Sequence, residues 1–469
     1  MTKKLQEKLT LSSKNVWEEI NEKEREGLFK LNEDYKNFLD NSKTERKATQ
    51  EIIRRAEAKG FISLDEILEK NIDLKTGLKI YATNKDKGVV LLVLGKEEIT
   101  EGLNIIGSHI DSPRLDLKQN PLYEDSDLAL FKTHYYGGIK KYQWVSLPLE
   151  LHGVIIMENG EKINVSIGDE EDEPVFFISD LLIHLAKDQM DKKLSEGIEG
   201  EGLNIIVGSI PYKDNEISEK VKLNILNILN KKYGIKEEDF ITAEIQAVPA
   251  GKSRDLGLDK SMVMGYGHDD RVCAYTSLKA ILEVENPRRT SVALFMDKEE
   301  IGSVGNTGME SNFFENVIVD LVSMKSESSF SKIRKIFTNS MALSADVAAG
   351  YDPNYPEVLE KRNAASLGHG ITIVKYTGSR GKGGCNDANP EFLAYIRKVF
   401  NEKNIIWQTG ELGKVDQGGG GTIAYILANH SIEVVDCGIP VLGMHSPYEV
   451  VSKADVYMTY KGYKAFYLA

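Results

Sequence analysis

Apolar and polar positions run along the chain in two rhythms. Residues 14–58 are charged but carry Trp17, Ile20, Leu28, Leu31, Tyr35 and Phe38 at helical spacing, which predicts helix. Residues 77–95, GLKIYATNKDKGVVLLVLG, are two β-rich runs around a polar turn and predict a hairpin. An apolar strand ending in a polar cluster follows, LNIIGSHIDSPRLDLK. From about 118 to 240 the pattern changes. Strand-like VSLPLELHGVIIM and KINVSIG give way to the helical runs ISDLLIHLAKDQMDKKL and EKVKLNILNILNKKYG. From about 241 short apolar runs return, each stopping at polar residues: SVALFMD, SMALSAD, GITIVKYT, IEVVDCG and PVLGMHS. The helical segments RVCAYTSLKAILEVE and ANPEFLAYIRKVFNE lie between some of them.

Such alternation predicts βαβ units and a mainly parallel sheet, hence an α/β fold. The chain's 469 residues exceed the roughly 250–300 at which a single core stops growing. The block at 118–240 reads as an inserted domain between a first part, 1–117, and a second part, 241–469. With 59 basic against 72 acidic residues, net −13, the chain is a poor general binder of nucleic acid. Cys273, Cys385 and Cys437 are far apart and lack CxxC spacing, which fits a reducing compartment. The N-terminal MTKKLQEKLTLSS lacks a signal-peptide core, and no apolar run approaches the ~20 residues of a membrane span. The expectation is a soluble cytoplasmic protein.

Ligands bind outside the carboxyl ends of strands in open α/β sheets. Four strand ends carry candidate chemistry: His109 and Asp111, Glu299 and Glu300, Asp346, and His445. A fifth cluster, YGHDDRVCAY, sets His268, Asp269 and Asp270 before a helix. Singly these are helix caps, solvated faces or structural histidines. Together, imidazole and carboxylate donors suit Zn²⁺, with Mn²⁺ or Co²⁺ as substitutes. The number of donors fits two ions about 3.5–4 Å apart. Adjacent glutamates at a strand end point in different directions, so one can ligate while the other acts as a base. The sequence KEE occurs three times, at 96–98, 236–238 and 298–300. Only the third lies at a strand end matched by donors at other strand ends.

In this order the clusters resemble the aspartyl aminopeptidase/aminopeptidase I family of dinuclear zinc metallopeptidases. GSHIDSPRLDLK, DKEEIGSVG, SADVAAG and DQGGGGTIAYILANHSIEVVDCGIPVLGMHS carry the likeness. The resemblance implies a three-layer α/β/α peptidase domain interrupted by a mainly β dimerisation domain. It implies hydrolysis of the N-terminal residue of peptides. His109 and Asp346 would hold one zinc, Glu300 and His445 the other, and Asp269 would bridge them. Glu299 would be the general base, and Asp111 would orient His109. His184, in ISDLLIHLAKD, would reach a neighbouring subunit's site in a dodecamer built from dimers. The sequence departs from the family in KKYQWVSLPLELHG, at Ala348 and Ala349, and near IVKYTGSRGKGGCND. There Lys375, Arg380 and Lys382 are available to an acidic substrate side chain, so the preferred N-terminal residue, acidic or broader, stays open. The alternative activity on this fold is a dinuclear-zinc carboxypeptidase or deacylase.

Overall fold

The central strands of the first unit each follow a helix or a long loop and run the same way, so their carboxyl ends share one edge. This arrangement comes from a computed structural model, which describes residues 2–11, 13–213, 216–325 and 327–469. The chain divides into two compact units. One comprises Met1–Asp111, Ser253–Met444 and Glu449–Ala469; the other comprises Ser112–Lys252 and His445–Tyr448.

The first unit is built on a nine-stranded sheet. Its centre is four parallel strands in the order Thr290–Met296, Leu103–His109, Met341–Ser344 and Glu433–Gly438. The hairpin Lys79–Thr83 and Val89–Val93 forms as the sequence predicts and pairs antiparallel beside Thr290–Met296. Val89–Val93 shows why the sheet has two covered faces. Val89, Leu91 and Val93 enter one core with the helices Glu22–Asp40, Glu45–Glu57, His268–Ile281 and Lys453–Tyr467. Val90 and Leu92 enter a second core with Phe313–Lys325, Phe330–Thr338 and Ala424–Asn429. Period-two burial on both faces gives a three-layer α/β/α unit. Each fully buried Val or Leu in these cores contributes about 1.5–3 kcal/mol. A separate five-stranded sheet includes Met262–Gly265, Pro440–Leu442 and Glu449–Ser452.

The second unit is mainly β. Its strands Ala243–Pro249, Arg114–Asp125, Leu128–Tyr136, Ile205–Gly208, Phe176–Phe177 and Pro148–Ile156 pair in turn, and Pro148–Ile156 pairs back to Ala243–Pro249. The ring closes, which removes most free edges. Lys162–Ile167 adds beside Pro148–Ile156, and the helix Lys220–Tyr233 forms as expected.

Two expectations from periodicity change. The stretch at 14–58 is three helices, Val16–Glu19, Glu22–Asp40 and Glu45–Glu57. Asn21 and Glu24 form a capping box, and Thr44 caps the third helix, so the chain restarts twice. The run ISDLLIHLAKDQMDKKL is not one helix. It holds only the short turns Ile183–Leu185, Lys187–Met190 and Leu194–Gly197. Leu181, Leu182, Ile183 and Leu185 are exposed within the chain, and short helices draw their stability from a packed face.

Candidate metal centre

His109 is the last residue of its strand and lies in register with Met296 at the end of the neighbouring strand. Glu299 and Glu300 follow Met296 on a tight turn that begins at Lys298, with φ 67°. Asp346 follows the adjacent strand Met341–Ser344. Asp269 opens the helix His268–Ile281 after the strand Met262–Gly265. His109, Asp269 and Asp346 each offer a ligand atom, and these lie within 4.8 Å of one another. Asp269 and Glu300 also offer oxygens within 4.8 Å.

The contacts fix the roles of individual atoms. His109 Nε2 is 3.2 Å from Asp269 Oδ1 and 3.9 Å from Glu299 Oε2. Its Nδ1 is 3.0 Å from the Asp111 carbonyl oxygen and 3.2 Å from Asp111 Oδ1. The two oxygens at Nδ1 hold a proton there, so Nε2, which faces Asp269 and Glu299, is the ring atom a metal would take. Asp111 Oδ1 and Oδ2 also accept the backbone N–H groups of Glu299 and Glu300, each at 3.2 Å. One buried carboxylate thus aligns both the imidazole and the turn that carries the two glutamates.

The electrostatics are those of crowded acids. Burial, and then the charge of Glu299, push Asp346 well above the ordinary carboxyl range. Burial and Asp346 do the same to Asp270. His109 is raised, because Asp111 and Asp269 outweigh burial, which favours its neutral form. A buried imidazole among converging carboxylates is a donor set that a divalent cation satisfies. The residues therefore fit a zinc ion on the chemistry of their donors.

Other sequence candidates are placed as follows. His445 lies in the 445–448 turn at φ 65°, and its Nδ1 is 2.8 Å from the Gly138 carbonyl oxygen. His184 is exposed on the turn Ile183–Leu185. His268 is buried against the Tyr35 hydroxyl, and burial holds it down to about 3, so it is neutral. Lys375 and Lys382 both pair with Asp387, the second at 2.8 Å, so one shared carboxylate already offsets part of their charge. Glu97 pairs with Arg288 and Arg289, and Glu237 with Lys222.

Sequence reasoning named Asp270 beside Asp269 without its partner, and missed the other supports. Glu449 Oε2 accepts the backbone N–H of Asp269 at 3.0 Å, and Asp270 Oδ2 accepts that of His109 at 3.4 Å. Glu449 reads as the polar edge of a strand, and only its near-complete burial marks it. Gly438 is a third support. A Cβ there would lie 1.8 Å from the Asp346 carbonyl oxygen, so only glycine lets the Asp346 segment pass.

Residues 38–467 match the sequence profile described as Aminopeptidase I zinc metalloprotease (M18). The chain belongs to the M18 aminopeptidase I family. It is 56% identical over 453 residues to a probable M18 family aminopeptidase 1 of Clostridium acetobutylicum, covering 97% of each. It superposes on the crystal structure of an M18 aminopeptidase from Thermotoga maritima with a TM-score of 0.93 and 45% identity, covering 97% of this chain and 99% of that one. A solved S. cerevisiae mApe1 dodecamer shares the fold at 22% identity and a TM-score of 0.74, over 92% of this chain and 95% of that one. Like other M18 members, the chain is a zinc-dependent aminopeptidase, a hydrolase of peptide bonds, on an α/β fold. The M18 relatives are named aminopeptidases, which sets aside the carboxypeptidase and deacylase alternative. Among the described residues no helix is long and apolar enough to cross a membrane.

Proposed function

We propose that the chain removes N-terminal residues from peptides with two zinc ions and Glu299 as general base. His109 and Asp346 would hold one ion, Glu300 and His445 the other, and Asp269 would serve both. The convergence of His109 and Asp346, at neighbouring strand ends, with Asp269, at a helix start, is the observation that carries the reading. When bound, zinc polarises the scissile carbonyl and lowers the pKa of water. Glu299 takes the proton of the attacking water and hands it to the leaving amine. Asp111 holds Glu299 in place through the Glu299 backbone N–H. Metal analysis beside a panel of aminoacyl, N-acyl and C-terminal substrates tests this, with Zn²⁺, Mn²⁺ and Co²⁺ added separately. At least two zinc ions per chain and turnover confined to free α-amino substrates support it; one ion, or turnover of C-terminal substrates, rejects it.

The same proposal includes a cytoplasmic location and assembly into dimers that build a dodecamer. Three free cysteines support the first. Exposed Leu181, Leu182, Ile183 and Leu185 around His184, and the dodecameric mApe1 of the same fold, support the second. In that assembly His184 completes the active site of a neighbouring subunit.

A further inference from the structure

The second unit holds another set of converging donors, none of them used above. Glu150, His152 and Asp169 each offer a ligand atom within 4.8 Å of the others. Glu150 and His152 are two apart on the strand Pro148–Ile156, so both side chains leave the same face. Both are 1% exposed, and His152 Nε2 is 2.7 Å from Glu150 Oε1. Ser166, the cross-strand partner of His152, brings its hydroxyl to 3.2 Å from Nδ1. That hydroxyl is 3.5 Å from Asp169 Oδ2. The intervening Gly168 has φ 98°, and a Cβ there would lie 2.9 Å from Glu150 Cβ. The turn therefore passes Glu150 as closely as a backbone can, which brings Asp169 to the pair.

Asp169 begins a run of five acidic residues, Asp169 to Glu173. Glu170, Glu171 and Asp172 are exposed, and Asp169 is half-buried between them and the buried pair. A buried Glu–His hydrogen bond alone explains two of the three residues. It does not explain a third carboxylate brought to the same point beneath a strip of charge that concentrates cations.

We propose that Glu150, His152 and Asp169 form a further metal site, for Zn²⁺ or another borderline divalent ion, that ties the 168–174 turn to the strand Pro148–Ile156. One imidazole and two carboxylates are suitable donors for such an ion. The ion takes the place of the proton between Nε2 and Glu150. The neutral ring's one proton then sits on Nδ1 instead and donates to Ser166 Oγ, which fixes the tautomer. Tetrahedral ligands at about 2.0–2.1 Å from zinc stand roughly 3.3 Å apart. The 2.7 Å pair opens by rotation of the Glu150 side chain.

The test is zinc content per chain in the wild type and in His152→Gln, Glu150→Gln and Asp169→Asn, measured after equilibration with Zn²⁺ and removal of the excess. The proposal expects each variant to hold about one ion fewer than the wild type, whatever the wild-type total. The comparison is thus independent of how many ions serve catalysis. Co²⁺ loading gives a second reading: a visible band present in the wild type and missing in His152→Gln. Asp169 is half-exposed, so Asp169→Asn keeps the test open if a core variant fails to fold. Equal zinc content in the wild type and the folded variants overturns the proposal.

Discussion

At the scale of single residues, the candidate centre separates positions that hold from positions that react. Glu299 lies close to His109 Nε2 and is partly exposed, as a base that meets water must be. Glu299→Gln should retain zinc while kcat falls roughly 10²- to 10⁴-fold, the range of general-base contributions. A variant with full zinc and near-normal kcat would remove the base assignment. Glu300→Ala should instead lose zinc, which metal analysis of the purified variant decides. Asp111 is the residue with most to do. It accepts two backbone N–H groups and faces the His109 ring, whereas an asparagine offers one acceptor oxygen in place of two. Asp111→Asn should lower kcat/KM by about 10- to 100-fold, the usual effect of losing a group behind a ligand. Unchanged kcat/KM and zinc affinity would show that Asp111 positions nothing.

At the scale of elements, the site depends on strands buried on both faces. Ile106, in the strand that ends at His109, is fully buried. Ile106→Ala should cost about 2–5 kcal/mol in denaturant unfolding, with the loss traceable to a cavity. Asp455, at the start of the last helix, accepts the N–H groups of Gly368 and Gly370, both at 2.7 Å. Burial nonetheless lifts it from 3.8 to about 8. Between those values the folded chain keeps a proton that the unfolded chain loses. Its contribution is full below the window and gone once pH passes about 8. The Tm of the wild type should therefore fall more steeply across pH 4–8 than that of Asp455→Asn; parallel curves would mean Asp455 does not hold the proton. Much of this layer was legible in the sequence. The hairpin at 77–95, the strand before His109 and the helix after Asp269 follow from period and punctuation. Helix breaks at Asn21 and Thr44 required the caps to be weighed against an unbroken apolar stripe. The run at 178–194 has helical spacing without a face to pack, which periodicity cannot reveal. Glu449 was illegible because its partner is a backbone N–H group, which every residue has.

At the scale of the whole molecule, activity and assembly are expected to be linked. Removing zinc with a chelator should abolish turnover, and added Zn²⁺ should restore it; turnover that survives chelation would exclude a zinc-dependent reaction. Leu182→Asp should break the proposed assembly, seen by sedimentation as a shift toward the 52.4 kDa subunit. If His184 serves a neighbour, dissociation lowers kcat as well. Dissociated chains with full kcat would release His184 from that role.

The spread of the site along the chain bears on the timing of synthesis. His109 lies before most of the second unit, whereas Asp269, Glu299 and Asp346 follow, and Glu449, which holds the Asp269 backbone, comes later than all of them. The strand Glu433–Gly438, whose Gly438 makes room for Asp346, is also late. Chains emerge from the ribosome N-terminus first, and pairings between distant segments form last. A growing chain thus carries isolated donors but no assembled centre until Glu449 has emerged. A peptidase made among other unfinished polypeptides, each with an exposed N-terminus, stays harmless to them until its own sequence has been read past Glu449.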